Sequence, residues 1–192
     1  MVKNLVSCLL QHRHISKEDQ LLITAAFKLR KYKSGEWLLK ADTVSGTLFF
    51  IDKGVLKITV PHPVEKDIVY YFMEEGQFMT FLYSMYGNIP AKQGLQAACD
   101  LEAHLISLEQ LFQLYEKLPY LRALIDEIAQ LSMAEMVTIK NLYLTGNALA
   151  KYELFLRKQP ATASRVALTD IASYLGITPQ SLSRIRKTRV NK

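Results

Sequence analysis

The sequence is poor in cysteine, with only Cys8 and Cys99 among its 192 residues. They stand far apart and without Cys-x-x-Cys spacing, so neither a disulfide framework nor a zinc or iron–sulfur cluster is supported. Both read as buried small hydrophobes. No apolar run approaches the eighteen or so residues that a membrane span requires. The opening stretch MVKNLVSCLL lacks a small-residue cleavage site, so no secretory leader is expected and the chain is placed in the cytoplasm. Catalytic patterns are equally scarce. The sequence has no Ser-His-Asp order, no phosphate-binding glycine loop and no carboxylate pairing suited to acid–base work, so an enzyme is not expected. His12 and His14, two positions apart, would share a strand face but not a helix face, which is weak support for a metal.

What is present is 49% apolar and 22% charged residues, the balance of a globular chain with a sizeable core. The charge is unevenly placed. Up to Ala150 there are 15 basic against 16 acidic residues, a net of −1; from Lys151 to Lys192 there are 9 against 2, a net of +7. A basic segment on a neutral body points to a polyanionic partner, because phosphate neutralisation supplies most non-specific nucleic-acid affinity.

Periodicity divides the chain. Ser16 with Asp19 three positions later opens a short helix over residues 16–28. From Phe27 to about Ser107, short runs rich in Val, Ile, Tyr and Phe alternate with glycines, which predicts an antiparallel β domain. The expected strands are Glu36–Lys40, Thr47–Asp52, Val55–Val60, Asp67–Met73, Gly94–Ala98 and Glu102–Ser107. Six to eight such strands make a barrel or jelly roll. Leu108–Lys117 reads as helix again. Tyr120–Thr145 then runs without Pro or Gly to Gly146-Asn147, a helix of about 39 Å. Its two apolar stripes include Leu121 and Ile128 on one side and Ile125, Met136 and Ile139 on the other. One stripe is expected to lie on the β domain and the other on the same helix of a second subunit. A further helix spans Ala148–Lys158, and Ala161–Arg165 reads as a small-residue loop.

The most specific pattern is LTDIASYLGITPQSLSRIRK, Leu168–Lys187. Ile171, Ala172 and Leu175 give the first helix a buried face, Gly176 permits a sharp turn, and Thr178-Pro179 cap and start a second helix that buries Leu182 and Ile185. This is a helix-turn-helix. In such a unit the start of the second helix enters the major groove, so Gln180, Ser181 and Arg184 are the expected base readers. Thr169, Ser173, Thr178, Arg186, Lys187, Arg189 and Lys192 are the expected phosphate contacts, which position the protein without specifying sequence.

The whole chain resembles the cAMP receptor protein and FNR (Crp/Fnr) superfamily of bacterial regulators. KSGEWLLKADTVSGTLFFIDKGVLKITV (Lys33–Val60) looks like the opening of a cyclic-nucleotide-binding β-roll. Gly76–Leu111 looks like the phosphate-cassette hairpin and the strands after it, and ASYLGITPQSLSRIRK is similar to the helix-turn-helix of a short subgroup common in Bacteroidetes. The resemblance implies an α+β protein: a jelly-roll-like sensor domain over residues 1–118, a dimerisation helix over 119–146 and a DNA-binding domain over 147–192. It implies a homodimer on double-stranded DNA at a roughly palindromic site, acting with RNA polymerase. It also implies an effector pocket around Gly76, Phe78, Thr80, Phe81, Lys92 and Gln93, although Phe78, Phe81, Tyr83, Met85 and Tyr86 read more simply as core filling.

Departures from the family pattern narrow these expectations. The acid and the arginine that hold a cyclic nucleotide are missing, their region reading Met79-Thr80-Phe81 and Ala91-Lys92-Gln93. Lys92 offers only a point charge where a guanidinium would bind phosphate bidentately, so cAMP is not the expected effector. The cysteine-rich start of oxygen-sensing members is absent as well. The sequence ends at Lys192 without the β-wing of longer members, so part of the phosphate contact is expected from elsewhere. The competing expectation is a ligand- or partner-binding module that keeps a degenerate helix-turn-helix as a packing element and does not bind DNA.

Overall fold

A computed structural model describes residues 5–64 and 66–190, the side chains of Arg189 and Val190 excepted. Helices α1 (Leu5–Leu10) and α2 (Lys17–Ala26) lead into the β domain. The Ser16 hydroxyl caps α2 by accepting the Asp19 N–H at 3.1 Å. Among the described residues eight strands follow: β1 (Lys28–Tyr32), β2 (Trp37–Leu39), β3 (Thr47–Lys53), β4 (Leu56–Val60), β5 (Ile68–Met73), β6 (Phe78–Met79), β7 (Gly94–Ala97) and β8 (Leu101–Ser107), with α3 (Leu82–Gly87) between β6 and β7. They form two antiparallel sheets, ordered β1-β8-β3-β6 and β2-β7-β4-β5. The remaining chain is helical: α4 (Leu108–Lys117), α5 (Pro119–Leu142), α6 (Ala148–Lys158), α7 (Pro160–Arg165), α8 (Leu168–Leu175) and α9 (Pro179–Val190).

The two sheets bury their facing sides in a jelly-roll core, with Phe49, Ile51, Leu56, Leu95 and Ala103 nearly inaccessible. Gly54 makes the β3–β4 turn possible. Its φ is +100°, and an added Cβ would lie 2.4 Å from the Asp100 carbonyl oxygen, so the turn can sit against the β7–β8 loop only without a side chain. A second core joins α1, α2, α4 and the first half of α5 to β3 through Leu9, Ile23, Phe50, Ile106 and Leu121.

Several elements differ from the sequence reading. Strands β1 and β6 were not expected. β1 has the burial pattern of an edge, with four of its five residues exposed, and β6 is two residues long, so neither carries a strong period-two pattern. The long helix ends at Leu142, not Thr145. Tyr143 turns into the core, and the Asn147 side chain accepts the Ala150 N–H at 3.0 Å as the cap of α6, which makes it a start signal and not a stop. Ala161–Arg165 is helix α7 and not a loop. Pro160 opens it, and Thr162 is fully buried at its centre, so tertiary packing supplies what six small residues lack.

The expected dimer stripe also needs correction. Leu121, Ile125 and Ile128 are buried within their own chain, and Met136 and Ile139 pack on its core. The apolar face of α5 that remains open carries Met133 and Val137, 54% and 51% exposed and one turn apart.

The C-terminal helices do not hang free of the β domain. Helix α8 lies on β5. Tyr174 of α8 inserts its ring among Tyr71 and Phe72 of β5, Tyr143 and Phe155, with centroid distances of 6.2, 5.0, 5.4 and 5.8 Å, mostly edge to face. Lys57 of β4 bonds Asp170 at 2.7 Å, and the Val69 N–H donates to the Ser173 hydroxyl at 2.9 Å. The Tyr174 hydroxyl is buried and has no hydrogen-bond partner among the described residues, which opposes docking while the ring favours it. Tyr174→Phe should therefore raise stability by roughly 1 kcal/mol, whereas Tyr174→Ala should cost about 3–5 kcal/mol in urea denaturation. A loss on Tyr174→Phe would mean that the hydroxyl is satisfied.

Candidate nucleic-acid interface and ligand cavity

The turn between α8 and α9 is built by three residues. Gly176 ends α8 in the left-handed conformation, φ +65°, and its N–H and that of Ile177 return to Ser173 O and Ala172 O at 3.1 and 3.0 Å. Ile177 fills the corner between the helices, and Ala172 is small and fully buried where they cross. Thr178 caps α9: its hydroxyl accepts the Ser181 N–H at 3.1 Å and donates to the Ser181 hydroxyl at 2.9 Å. Leu182 is fully buried and Ile185 half-buried, which holds α9 by one face.

The opposite face of α9 presents Gln180, Arg184, Arg186, Lys187 and Thr188 to solvent, with Ser181 half-buried beside them. Thr169 and Thr178 are exposed at the starts of α8 and α9. Ser173 is not on this surface. It faces β5, where its hydroxyl accepts the Val69 N–H, so it leaves the set of phosphate contacts. The side chain of Arg189 and all of Lys192 lie outside the described residues. The docked side of α8 and the basic side of α9 are thus separate, and the basic face stays open while the two helices are held to the β domain.

A cavity of about 730 Å³ lies between β5, β6, α3 and the first two-thirds of α5. Of the expected effector residues, Phe78, Thr80, Phe81 and Gln93 line it. Lys92 does not. It is 75% exposed on the surface and pairs with Asp42 at 3.1 Å, so it is no substitute for a phosphate-binding arginine. Gly76 lies in the β5–β6 turn away from this cavity, with its carbonyl oxygen accepting the Cys8 thiol at 3.4 Å. Core filling and a cavity coexist here: Phe78, Phe81 and Met85 are buried, while Tyr83 and Tyr86 are exposed at the rim. Sequence reasoning missed the wall from α5, where Arg122 and Asp126 sit one turn apart on the flank of Ile125 and Met133. Polar residues interrupting an apolar helix face were the signal available.

An eight-strand roll, a long helix and a helix-turn-helix docked behind them are a combination that other solved proteins share. The c-di-GMP-responsive global regulator CLP of Xanthomonas campestris superposes with a TM-score of 0.71 at 16% identity, covering 92% of this chain and 93% of that one. FixK2 of Bradyrhizobium japonicum gives 0.67 at 16% identity over 84% and 83% of the two chains. A CooA mutant from Carboxydothermus hydrogenoformans gives 0.65 at 15% identity over 94% and 83%. The fold is that of the Crp/Fnr regulators. No protein-family model and no curated protein matches the sequence. No described helix is long and apolar enough to cross a membrane.

A second polar link fastens the C-terminal helices to the β domain. Arg165 of α7 forms a two-pronged ion pair with Glu75 in the β5–β6 turn, one contact measuring 3.1 Å, and the Glu75 carboxylate also accepts the Gly54 N–H at 2.7 Å. Burial alone would raise the Glu75 pKa. The Arg165 guanidinium, together with the N–H groups of Glu75 and Gly54, outweighs it and holds the group below its usual value. A lowered folded-state pKa contributes stability that is complete above the unfolded value of about 4.3 and is lost as pH falls through the folded value. Glu75→Gln should therefore be less stable at neutral pH and show a shallower loss of stability below about pH 4 than the parent. Parallel acid limbs in a pH series of urea melts would contradict this.

Proposed function

We propose that the chain is a sequence-specific DNA-binding transcription regulator of the Crp/Fnr type. The observation that carries this is helix α9, held by Leu182 and capped by Thr178, with Gln180 and Arg184 exposed at its start and Arg186 and Lys187 beside them. Gln pairs bidentately with adenine and Arg with guanine, each worth about 1–3 kcal/mol of discrimination. Thr169, Thr178, Arg186, Lys187 and Arg189 serve the phosphates. The test compares two substitutions. Arg184→Ala is expected to lose about 1–3 kcal/mol at one base step, whereas Lys187→Ala weakens all sequences alike and lowers the salt slope by about one. Equal losses on every sequence from both would overturn these roles.

The regulator acts as a homodimer in the cytoplasm, reading a roughly palindromic site and working with RNA polymerase. Met133 and Val137, the open apolar turn of α5, form the centre of the two-fold contact, which sets the recognition helices about 34 Å apart in successive major grooves. Val137→Glu is expected to give a monomer in sedimentation equilibrium and to lose affinity for the two-half-site DNA. A dimer that persists in this variant would place the contact elsewhere.

The effector, if the 730 Å³ cavity holds one, is not cAMP. The walls are chiefly aromatic and methionine side chains, and the one cation among the residues lining it is Arg122 on α5. Such walls suit a largely apolar molecule with a small polar end. One observation favours the competing reading of a binding module that does not engage DNA: Asp170 and Ser173 of α8 are both committed to the β domain. Under that reading Arg184→Ala changes no DNA affinity at all.

A further inference from the structure

A second cavity, of about 350 Å³, lies where the β5–β6 turn, α5 and the end of α6 meet. Its volume is at the small end of the range in which proteins hold small molecules. Tyr71, Glu74, Glu135, Gln159, Lys158 and His12 are among its walls.

Two of these are buried polar groups with unused capacity. Tyr71 is 3% exposed, and among the described residues its hydroxyl has no hydrogen-bond partner. Tyr71 shares the walls of this cavity with Glu135 and Glu74. Gln159 is 5% exposed; its Oε1 accepts the Tyr143 hydroxyl at 3.3 Å, and its amide NH₂ has no partner among the described residues. Neither the hydroxyl nor the amide is among the fully buried unpartnered atoms, so both stay open to a polar ligand in the cavity.

The charges divide by sign. Glu75, also in the wall, is consumed by Arg165 and the Gly54 N–H. One Glu74 oxygen accepts the Thr162 hydroxyl, and among the described residues the other has no partner and Glu135 forms no ion pair. Free carboxylate oxygens therefore come from the β5–β6 turn and α5, while the donors Gln159 NH₂ and Lys158 come from the end of α6, with Tyr71 able to serve either. A cation alone would leave the donors unmet and would face Lys158; an anion alone would face two glutamates. We propose that this cavity is a binding site for a small zwitterion of α-amino-acid type. Its ammonium group meets Glu135 and Glu74, and its carboxylate meets Gln159 and Lys158. The site is distinct from the apolar cavity and joins the β domain, α5 and the reading unit, so that its occupant adds contacts across all three.

The test is calorimetric titration of the intact protein, without DNA, against each of the twenty amino acids at up to 10 mM, with the N-acetyl derivative and the decarboxylated amine of any that binds. Because no DNA is present, its outcome is independent of the regulator reading. The site predicts binding by at least one amino acid, loss of binding on N-acetylation and on decarboxylation, and about tenfold or greater weakening in both Glu135→Gln and Tyr71→Phe. Tyr71→Phe removes no hydrogen bond of the free protein, so its melting temperature without ligand should not fall, which separates a lost ligand contact from a damaged fold. Absence of binding by all twenty, equal binding of the N-acetyl form, or undiminished binding in Glu135→Gln would overturn the proposal.

Discussion

Helix α8 does two jobs at once. It is the first helix of the turn that positions α9, and it is also the face by which the C-terminal helices lie on strand β5. Tyr174 is the pivot, its ring inserted among Tyr71, Phe72, Tyr143 and Phe155, which come from the sheet, the end of the long helix and α6. Four rings in edge-on contact each add about 0.5–1.5 kcal/mol beyond the area they bury. Around that apolar centre run the polar ties, Lys57 to Asp170 and Arg165 to Glu75. These ties fix orientation more than they stabilise, since removing ions from water offsets much of their attraction. The consequence is geometric: β5 and the β5–β6 turn are tied directly to the helices that present Gln180 and Arg184.

The same strand forms part of the wall of both cavities. Tyr71 lines each of them, and its neighbours Tyr70 and Phe72 contact α5 or the reading unit: Lys140 donates to the Tyr70 carbonyl at 3.0 Å and sits 4.4 Å from its ring. An occupant of either cavity therefore acts on the surface that holds α8. Differential contact with two arrangements of that surface is the physical requirement for a ligand to alter DNA affinity.

How far the sequence could be read depended on whether the information was local. The reading unit was legible because each of its residues has a local reason: Gly176 for the left-handed turn, Thr178-Pro179 for the cap, Leu182 for the buried face. The roll was legible as a class from its alternating runs, but β1 and β6 are an exposed edge and a two-residue pairing, which only their partners β8 and β3 define. Helix α7 was missed for a related reason, since Thr162 and Arg165 are held by Glu74 and Glu75, distant in sequence. Side-chain direction was the least legible property. Periodicity put Ile125 and Met136 on an apolar stripe without saying that their own chain covers them. Ser173 is a solvent-facing hydroxyl by spacing and a β5 ligand in fact. Lys92, placed by resemblance in a pocket, is held on the surface by Asp42.

The proposed regulator requires that α9 read base sequence while α8 is held to the roll. Systematic selection of DNA by the purified protein, at fixed salt and with and without cAMP, tests it most directly. Enrichment of one roughly palindromic sequence with half-sites one helical turn apart, unchanged by cAMP, is the expected result. Sequences recovered at random under both conditions would contradict it, and an enrichment that required cAMP would contradict the reading of the cavity.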